Sequence, residues 1–188
     1  MNTACVDLAG AGTSRRSRRA AVAQRLLAKA PGGVEPIDWD TLDRAPAWLA
    51  LDDTELATLQ CRIGAVLCTP ALRLWIDGPR LNAARNLLGE PFLLALLAQP
   101  ESASIPADLI ASPRIDSAAL AGLQLRSAGA AVLLASLTHG ALRRAASVAL
   151  APGAASTLSQ ALAESLVAQA EALAVDALAT RADTRSVQ

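Results

Sequence analysis

The sequence predicts an all-α protein, because its composition and the spacing of its apolar residues both favour helices. Of the 188 residues, 44 are Ala and 32 are Leu, and both types have high intrinsic helix propensity. Strands favour β-branched and aromatic residues, whereas the chain has one Phe, three Trp and no Tyr. We therefore predict a single compact multi-helix domain over residues 34–180. A flexible basic N-terminal arm is expected at 1–33 and a disordered tail at 181–188.

Charge is segregated along the chain, although 17 basic and 17 acidic residues cancel. Residues 1–30 hold six basic side chains and one acid, whereas residues 31–60 hold seven acids and one Arg. Such asymmetry indicates either a docking surface or a basic tail beside a solvated acidic loop. A short amphipathic helix is predicted over 15–30, with Val22, Leu26 and Leu27 inward. Residues 34–51 are expected to be irregular and held on the core by Trp39 and Trp48.

Helical periodicity is regular from Asp52 onward. The acids Asp52, Asp53 and Glu55 suit the first turn of a helix, where they cap free N–H groups and oppose the helix dipole. One face then carries Leu56, Leu59, Ile63 and Leu67. Thr69 and Pro70 predict the start of a second helix with Leu72, Trp75 and Ile76 inward. Five further helices are predicted, at 80–88, 91–99, 115–137, 141–150 and 156–179, and Gly129 and Ala130 would permit close packing.

The inventory of reactive side chains argues against an enzyme and against a cofactor or metal site. The chain has one His and no Gly-rich phosphate loop. His139 is expected at a helix terminus. Neither an export signal nor a membrane span is expected, since no uninterrupted apolar run is long enough. Cys5, Cys61 and Cys68 are interpreted as reduced thiols, with the helical pair too far apart for a disulfide.

Two groups of charged residues are candidates for binding. The acidic group consists of Asp38, Asp40, Asp43, Asp52, Asp53 and Glu55; as paired carboxylates they could serve acid–base chemistry, but their polar, Pro-containing context favours caps and a solvated surface. The basic group consists of Arg73, Arg80 and Arg85. Arg62 lies nearby among apolar residues, where an internal salt bridge is expected and a partner-facing patch is the alternative.

Two blocks of sequence resemble the SctK family of type III secretion systems, the YscK/PscK-like proteins. The first block is Leu59-Gln60-Cys61-Arg62-Ile63-Gly64-Ala65-Val66-Leu67, followed by Leu72-Arg73 and Leu87-Leu88-Gly89, and is similar to the pattern L-x-C-R-x-G-x-x-L. The second consists of Ser127-Ala128-Gly129 before a leucine-rich helix, then Arg143-Arg144 and Val148-Ala149-Leu150-Ala151-Pro152. Trp48-Leu49 also fits, so the resemblance spans about residues 45–178.

The resemblance implies a non-catalytic cytoplasmic adaptor of the secretion sorting platform, peripheral to the inner membrane. It would join an SctD-type inner-membrane ring protein to an SctQ-type pod protein, with an SctL-type stator as a further partner, and so support protein secretion. The acidic and basic groups above are then its expected docking residues. The expected structural residues are Trp48, Leu59, Arg62, Ile63, Gly64, Leu67 and Trp75. The alternative function is a helical regulator that binds nucleic acid through the basic arm.

Overall fold

The computed structural model of the chain describes residues 15–28, 37–100, 117–150 and 158–186. These residues are helical or lie in short connections, and none of them forms a β-strand. The all-α prediction is therefore confirmed. The described helices are α1 (Arg15–Ala28), α2 (Trp39–Asp43), a 3₁₀ turn (Ala47–Ala50), α3 (Asp53–Leu67), α4 (Thr69–Arg73), α5 (Gly78–Leu88), α6 (Glu90–Ala98), α7 (Ala121–Ala135), α8 (Gly140–Leu150) and α9 (Gln160–Ser186).

The chain divides into two compact units, and the division falls within α3. The first unit contains the described residues up to Leu56 together with His139–Ala149. In it, α1 packs against α2 and the 3₁₀ turn, and the inward side chains include Val22, Leu26 and Trp48. α8 also belongs to this unit, and its buried face is lined mainly by alanine.

The second unit contains Ala57–Thr138 and Leu150–Gln188. Within it, α6 packs against α4, α5 and α9, and α7 packs against α5 and α9. α3 crosses α7 at two glycines. A Cβ atom on Gly64 would lie 2.8 Å from the carbonyl carbon of Leu125, and one on Gly129 would lie 2.8 Å from the Cα atom of Gln60. The two helix backbones can approach this closely only because both positions lack a side chain.

Local sequence signals explain where most helices begin and end. Asp52 accepts hydrogen bonds from the N–H groups of Thr54 and Glu55, both at 2.8 Å, and Glu55 accepts one from the Asp52 N–H at 3.2 Å. This reciprocal pair is a capping box. α5 ends at Gly89, whose positive φ of 81° suits glycine. Thr69 does not cap α4 as predicted, because its hydroxyl donates to the carbonyls of Ala65 and Val66.

Several inward assignments are confirmed and others are wrong. Val22, Leu26, Leu72 and Trp75 are buried, as are Leu56, Ile63 and Leu67 on α3, whereas Leu59 is half-buried. The exposed fractions of Leu27 (65%), Trp39 (66%) and Ile76 (90%) contradict the prediction that these side chains point inward. For Ile76 the reason is that α4 ends at Arg73, so the helical period no longer applies three residues later.

Helix boundaries differ from the predictions mainly at the N-terminal segment and at the last helix. Residues 39–50 form α2 and a 3₁₀ turn rather than an irregular segment, and α9 continues to Ser186 instead of ending at 179. Residues 1–14 of the expected flexible arm lie outside the described residues. So do the predicted boundary between 33 and 34, Cys5, residues 115–116 and the last two residues of the tail.

Candidate functional site

Two of the acidic residues that could form a docking face act as helix N-caps. Asp38 precedes α2 and accepts a hydrogen bond from the Thr41 N–H at 2.6 Å. That bond is the main reason why the pKa of Asp38 lies below its ordinary value. Asp52 caps α3, and Glu55 completes its capping box. Their carboxylates therefore have local structural partners.

Asp43 is the point on which the arginines of α1 converge. Arg19 binds it with two hydrogen bonds, from Nε to Oδ1 at 2.7 Å and from Nη2 to Oδ2. Arg15 Nη2 lies 3.1 Å from Oδ2, and Arg18 Nη2 donates to the Asp43 backbone carbonyl at 2.6 Å. The Asp43 side chain is only 7% exposed. The Arg19 hydrogen bond is the largest cause that lowers the pKa of Asp43, and the nearby charges of Arg15 and Arg19 act in the same direction.

Arg25 fixes the other end of α1 to the acidic segment, by which we mean residues 38–55. It donates from Nε to the carbonyl of Leu49 at 3.1 Å, and from Nη2 to the carbonyl of Leu51. Its Nη1 donates to Asp53 Oδ1 at 3.0 Å. Together with the Asp43 cluster, these bonds pair four arginines of α1 with carboxylates and backbone carbonyls of the acidic segment. Asp40, Asp52, Asp53 and Glu55 nevertheless keep exposed side chains.

The three predicted basic residues do not converge on one site. Arg73 donates from Nη2 to the carbonyl of Gln99, the C-cap residue of α6. Arg80 pairs with Asp77 at 3.3 Å, and Arg85 pairs with Glu90 at 3.6 Å. Cations favour helix C-termini, where carbonyls lack partners. Arg73 therefore has a structural role, whereas Arg85 remains an exposed side chain.

Arg62 makes a different contact from the internal salt bridge that was expected. Among the described residues it has no carboxylate partner, and its Nε atom is buried without a hydrogen bond. Its guanidinium instead lies over the Phe92 ring, 5.4 Å from the centroid. Burial lowers the pKa of this guanidinium. The cation–π contact joins α3 to α6, which supports a structural role for Arg62 by another interaction.

The two described cysteines are buried, and the histidine is exposed next to a helix terminus. Cys61 and Cys68 are buried free thiols; burial raises the pKa of Cys61, and raises that of Cys68 to about 12. His139 is exposed immediately before α8, where its carbonyl accepts the Arg143 N–H. No group of three or more His, Cys, Asp or Glu residues that could hold a metal ion occurs among the described residues.

A surface that the sequence did not predict lies in the connection between α4 and α5. Leu74 and Ile76, which we call the apolar knob, are exposed by 78% and 90%, while Trp75 between them is buried. The regular helical period ends at Arg73: Leu74 is the C-cap of α4 in αR conformation, and Asp77 is already the extended N-cap of α5. The signal that could have found it is Asp77-Gly78-Pro79, which places a new N-cap directly after Ile76.

No protein-family model matches the chain, and searches of curated proteins and of solved structures found no match. A search of the described helices for an apolar stretch capable of spanning a membrane also found none.

Proposed function

We propose that this chain is a non-catalytic adaptor of the type III secretion sorting platform. It would act in the cytoplasm, at the inner membrane, by joining an SctD-type ring protein to an SctQ-type pod protein. An SctL-type stator is a further candidate partner. The basis of the proposal is the SctK-like pattern in the sequence, and three structural features support it.

The observation that carries the proposal is that the two SctK-like blocks meet in the fold. Gly64 of the first block lies against Leu125, four residues before Gly129, and Gly129 of the second block lies against Gln60, four residues before Gly64. The contact is thus reciprocal. Residues that are scattered in sequence share one helix crossing, which explains why small residues are needed at both positions.

A second supporting feature is the structural use of the polar side chains. Asp38 and Asp52 cap helices, Asp43 anchors three arginines, and Arg73 binds the end of α6. General acid–base catalysis requires a titratable side chain held close to a reacting group, and these side chains instead bind other parts of the fold. Such a use of charge suits a rigid adaptor.

The structural role of the α1 arginines disfavours the nucleic-acid alternative. Arg15, Arg19 and Arg25 face carboxylates, and Arg18 binds a backbone carbonyl. Phosphate groups would have to displace these internal partners before binding. The nucleic-acid alternative depends on exposed basic side chains. Among the described residues of the arm, only Arg16 and part of Arg15 remain available for it.

The test is direct binding of purified full-length chain to the SctQ-type pod protein and to the cytoplasmic domain of the SctD-type ring protein from the same genome. Isothermal titration at low and at physiological salt should detect a complex with each partner and a ternary complex with both. If the titration detects binding to neither partner at low salt, the proposal is wrong. Salt-sensitive binding of duplex DNA or RNA in a parallel titration would favour the alternative.

A further inference from the structure

A small cavity with a polar mouth lies in the second unit, where α4, α6 and α9 meet. Its volume is about 10 Å³, which is enough for one water-sized group. The buried residues Val66, Thr69 and Leu96 form its floor, and the half-buried residues Arg73, Gln99 and Gln169 surround its mouth. The polar side chains are therefore the ones that an approaching ligand meets first.

The three polar residues at the mouth have hydrogen-bond donors that the fold does not use. A guanidinium carries five N–H donors, and Arg73 uses its Nη2 to bind the Gln99 carbonyl. Within the described part of the chain, Arg73 has no carboxylate partner, and the side-chain amides of Gln99 and Gln169 make no hydrogen bond. Each amide adds two further N–H donors. The mouth therefore presents an excess of donors around one positive charge.

We propose that Arg73, Gln99 and Gln169 bind the carboxylate of an aspartate or glutamate side chain from a partner protein. A planar carboxylate matches the fork of a guanidinium, and hydrogen bonds between two charged groups are stronger than those between neutral groups. The proposal goes beyond the adaptor function and does not depend on it, because it concerns the ligand chemistry of one cavity.

The fold holds this site ready for a ligand. The bond from Arg73 to the Gln99 carbonyl fixes the guanidinium against the end of α6, and Gln169 is supplied by the long helix α9. On the floor, the Thr69 hydroxyl donates to the carbonyls of Ala65 and Val66 at 3.0 and 2.8 Å, so its donor does not compete for the ligand. Ordering the donors before binding lowers the entropic cost of the complex.

Charge and size together favour a carboxylate over other polar groups. None of the side chains that line the cavity is acidic, so a negative ligand meets no like charge there. A neutral amide would direct its own N–H donors at a mouth that consists mainly of donors. A phosphate group has three terminal acceptor oxygens, whereas the cavity has room for one water-sized group. One carboxylate oxygen fits this space while the second binds the rim.

The test uses N-acetyl-glutamate amide, which carries a single side-chain carboxylate, and its neutral analogue N-acetyl-glutamine amide. Each compound is titrated at constant ionic strength into the ¹⁵N-labelled full-length chain, and the side-chain N–H signals of Arg73, Gln99 and Gln169 are followed by nuclear magnetic resonance. The glutamate compound should shift these signals with a saturable dependence on concentration. The glutamine compound should not, because it has no charge to pair with the guanidinium.

Two variants of α9 locate the binding. Gln169→Glu places a carboxylate of the chain itself at the cavity and should weaken binding of the glutamate compound at least about tenfold. Ala168→Glu is the matched control, since it adds the same charge at the exposed neighbouring position, outside the cavity lining, and should change the affinity by less than about twofold at physiological salt. Circular dichroism should show unchanged helicity. If Gln169→Glu unfolds the chain, Gln169→Ala replaces it and should weaken binding about fivefold.

Several results would overturn the inference. Equal shifts with the neutral compound, shifts that rise without saturation, or an unchanged affinity of the position 169 variant would each show that the cavity does not bind a carboxylate. Saturation by inorganic phosphate at a lower concentration than by the glutamate compound would make it a phosphate site instead. The adaptor proposal is tested by the separate titrations with the pod and ring proteins, so its failure and the failure of this site are distinguishable.

Discussion

Asp43 illustrates how distant partners determine the role of a single polar residue. Its sequence neighbourhood, with Asp38 and Asp40 nearby, indicates a solvated acidic surface. Its partners Arg15 and Arg19 lie more than twenty positions earlier in the chain. No local pattern encodes that pairing, so sequence analysis could predict opposite charges on neighbouring segments but not the carboxylate on which they meet.

Asp43 should make stability dependent on pH. Its folded-state pKa lies below the ordinary value of 3.8, so the unfolded chain binds the proton more readily. The stabilisation is therefore present above about pH 4 and is lost as the pH falls through the lower folded-state pKa. Asp43→Asn should lower the melting temperature at neutral pH and flatten its decline as the pH falls below about 4, as measured by circular dichroism.

The control for this experiment is Asp40→Asn, which changes an exposed acid on the same helix. It should retain the pH profile of the unaltered chain. A melting profile for Asp43→Asn that runs parallel to that of the unaltered chain over the acidic range would contradict the assignment of Asp43 as the anchor of α1.

Gly129 gives a prediction based on steric exclusion. A methyl group there would overlap the backbone of Gln60, and α3 and α7 would have to separate. Gly129→Ala should destabilise the protein by about 1 to 3 kcal/mol or more in urea unfolding, as expected for overpacking. Gly78→Ala is the matched control, since no atom outside its chain neighbours lies within 4 Å of its added Cβ, and should change stability by less than about 1 kcal/mol. Equal stability of the two variants would show that the helix crossing can relax.

At the scale of elements, periodicity predicted the helices well and their ends less well. The face of α3 that contains Ile63 and Leu67 follows from regular spacing, and both residues are buried. Leu26 and Leu27 are adjacent and chemically identical, yet only the first is buried. A short helix leaves such adjacent assignments ambiguous, because the direction of its neighbour decides which residue faces inward.

Arg73 shows how one element can complete another. Sequence analysis placed it with Arg80 and Arg85, whereas its guanidinium binds the Gln99 carbonyl at the end of α6. Arg73→Ala should cost about 1.5 to 3 kcal/mol, the range for a hydrogen bond with a charged partner. Arg85→Ala should change stability by less than about 1 kcal/mol, because its 3.6 Å pair with Glu90 is exposed. Chemical denaturation of both variants measures the difference, and a larger loss for Arg85→Ala would contradict the capping role.

At the scale of the whole molecule, a net charge of zero results from a basic segment and an acidic segment that are separate in sequence. The basic segment and the acidic segment that follow one another in sequence form one compact unit, in which α1 packs on α2 and the 3₁₀ turn. The distribution of charged residues along the sequence predicted this asymmetry of charge between the two segments. The division into two units was not predicted, because α8 joins the first unit from more than eighty positions beyond Leu56, and such long-range association leaves no periodic signal in the sequence.

The two units should respond separately to mutation, because each has its own buried side chains. Leu26→Ala should remove about 2 to 5 kcal/mol as a core truncation and reduce hydrogen-exchange protection in α1, α2 and the 3₁₀ turn. Gly129→Ala should instead reduce protection in α6, α7 and α9. Local opening reports the stability of each cooperative unit, so mass-spectrometric exchange distinguishes the two effects. Leu27→Ala, which alters the exposed neighbour of Leu26, should leave both patterns unchanged. Equal loss of protection in both units from either core variant would show that the molecule unfolds as one unit.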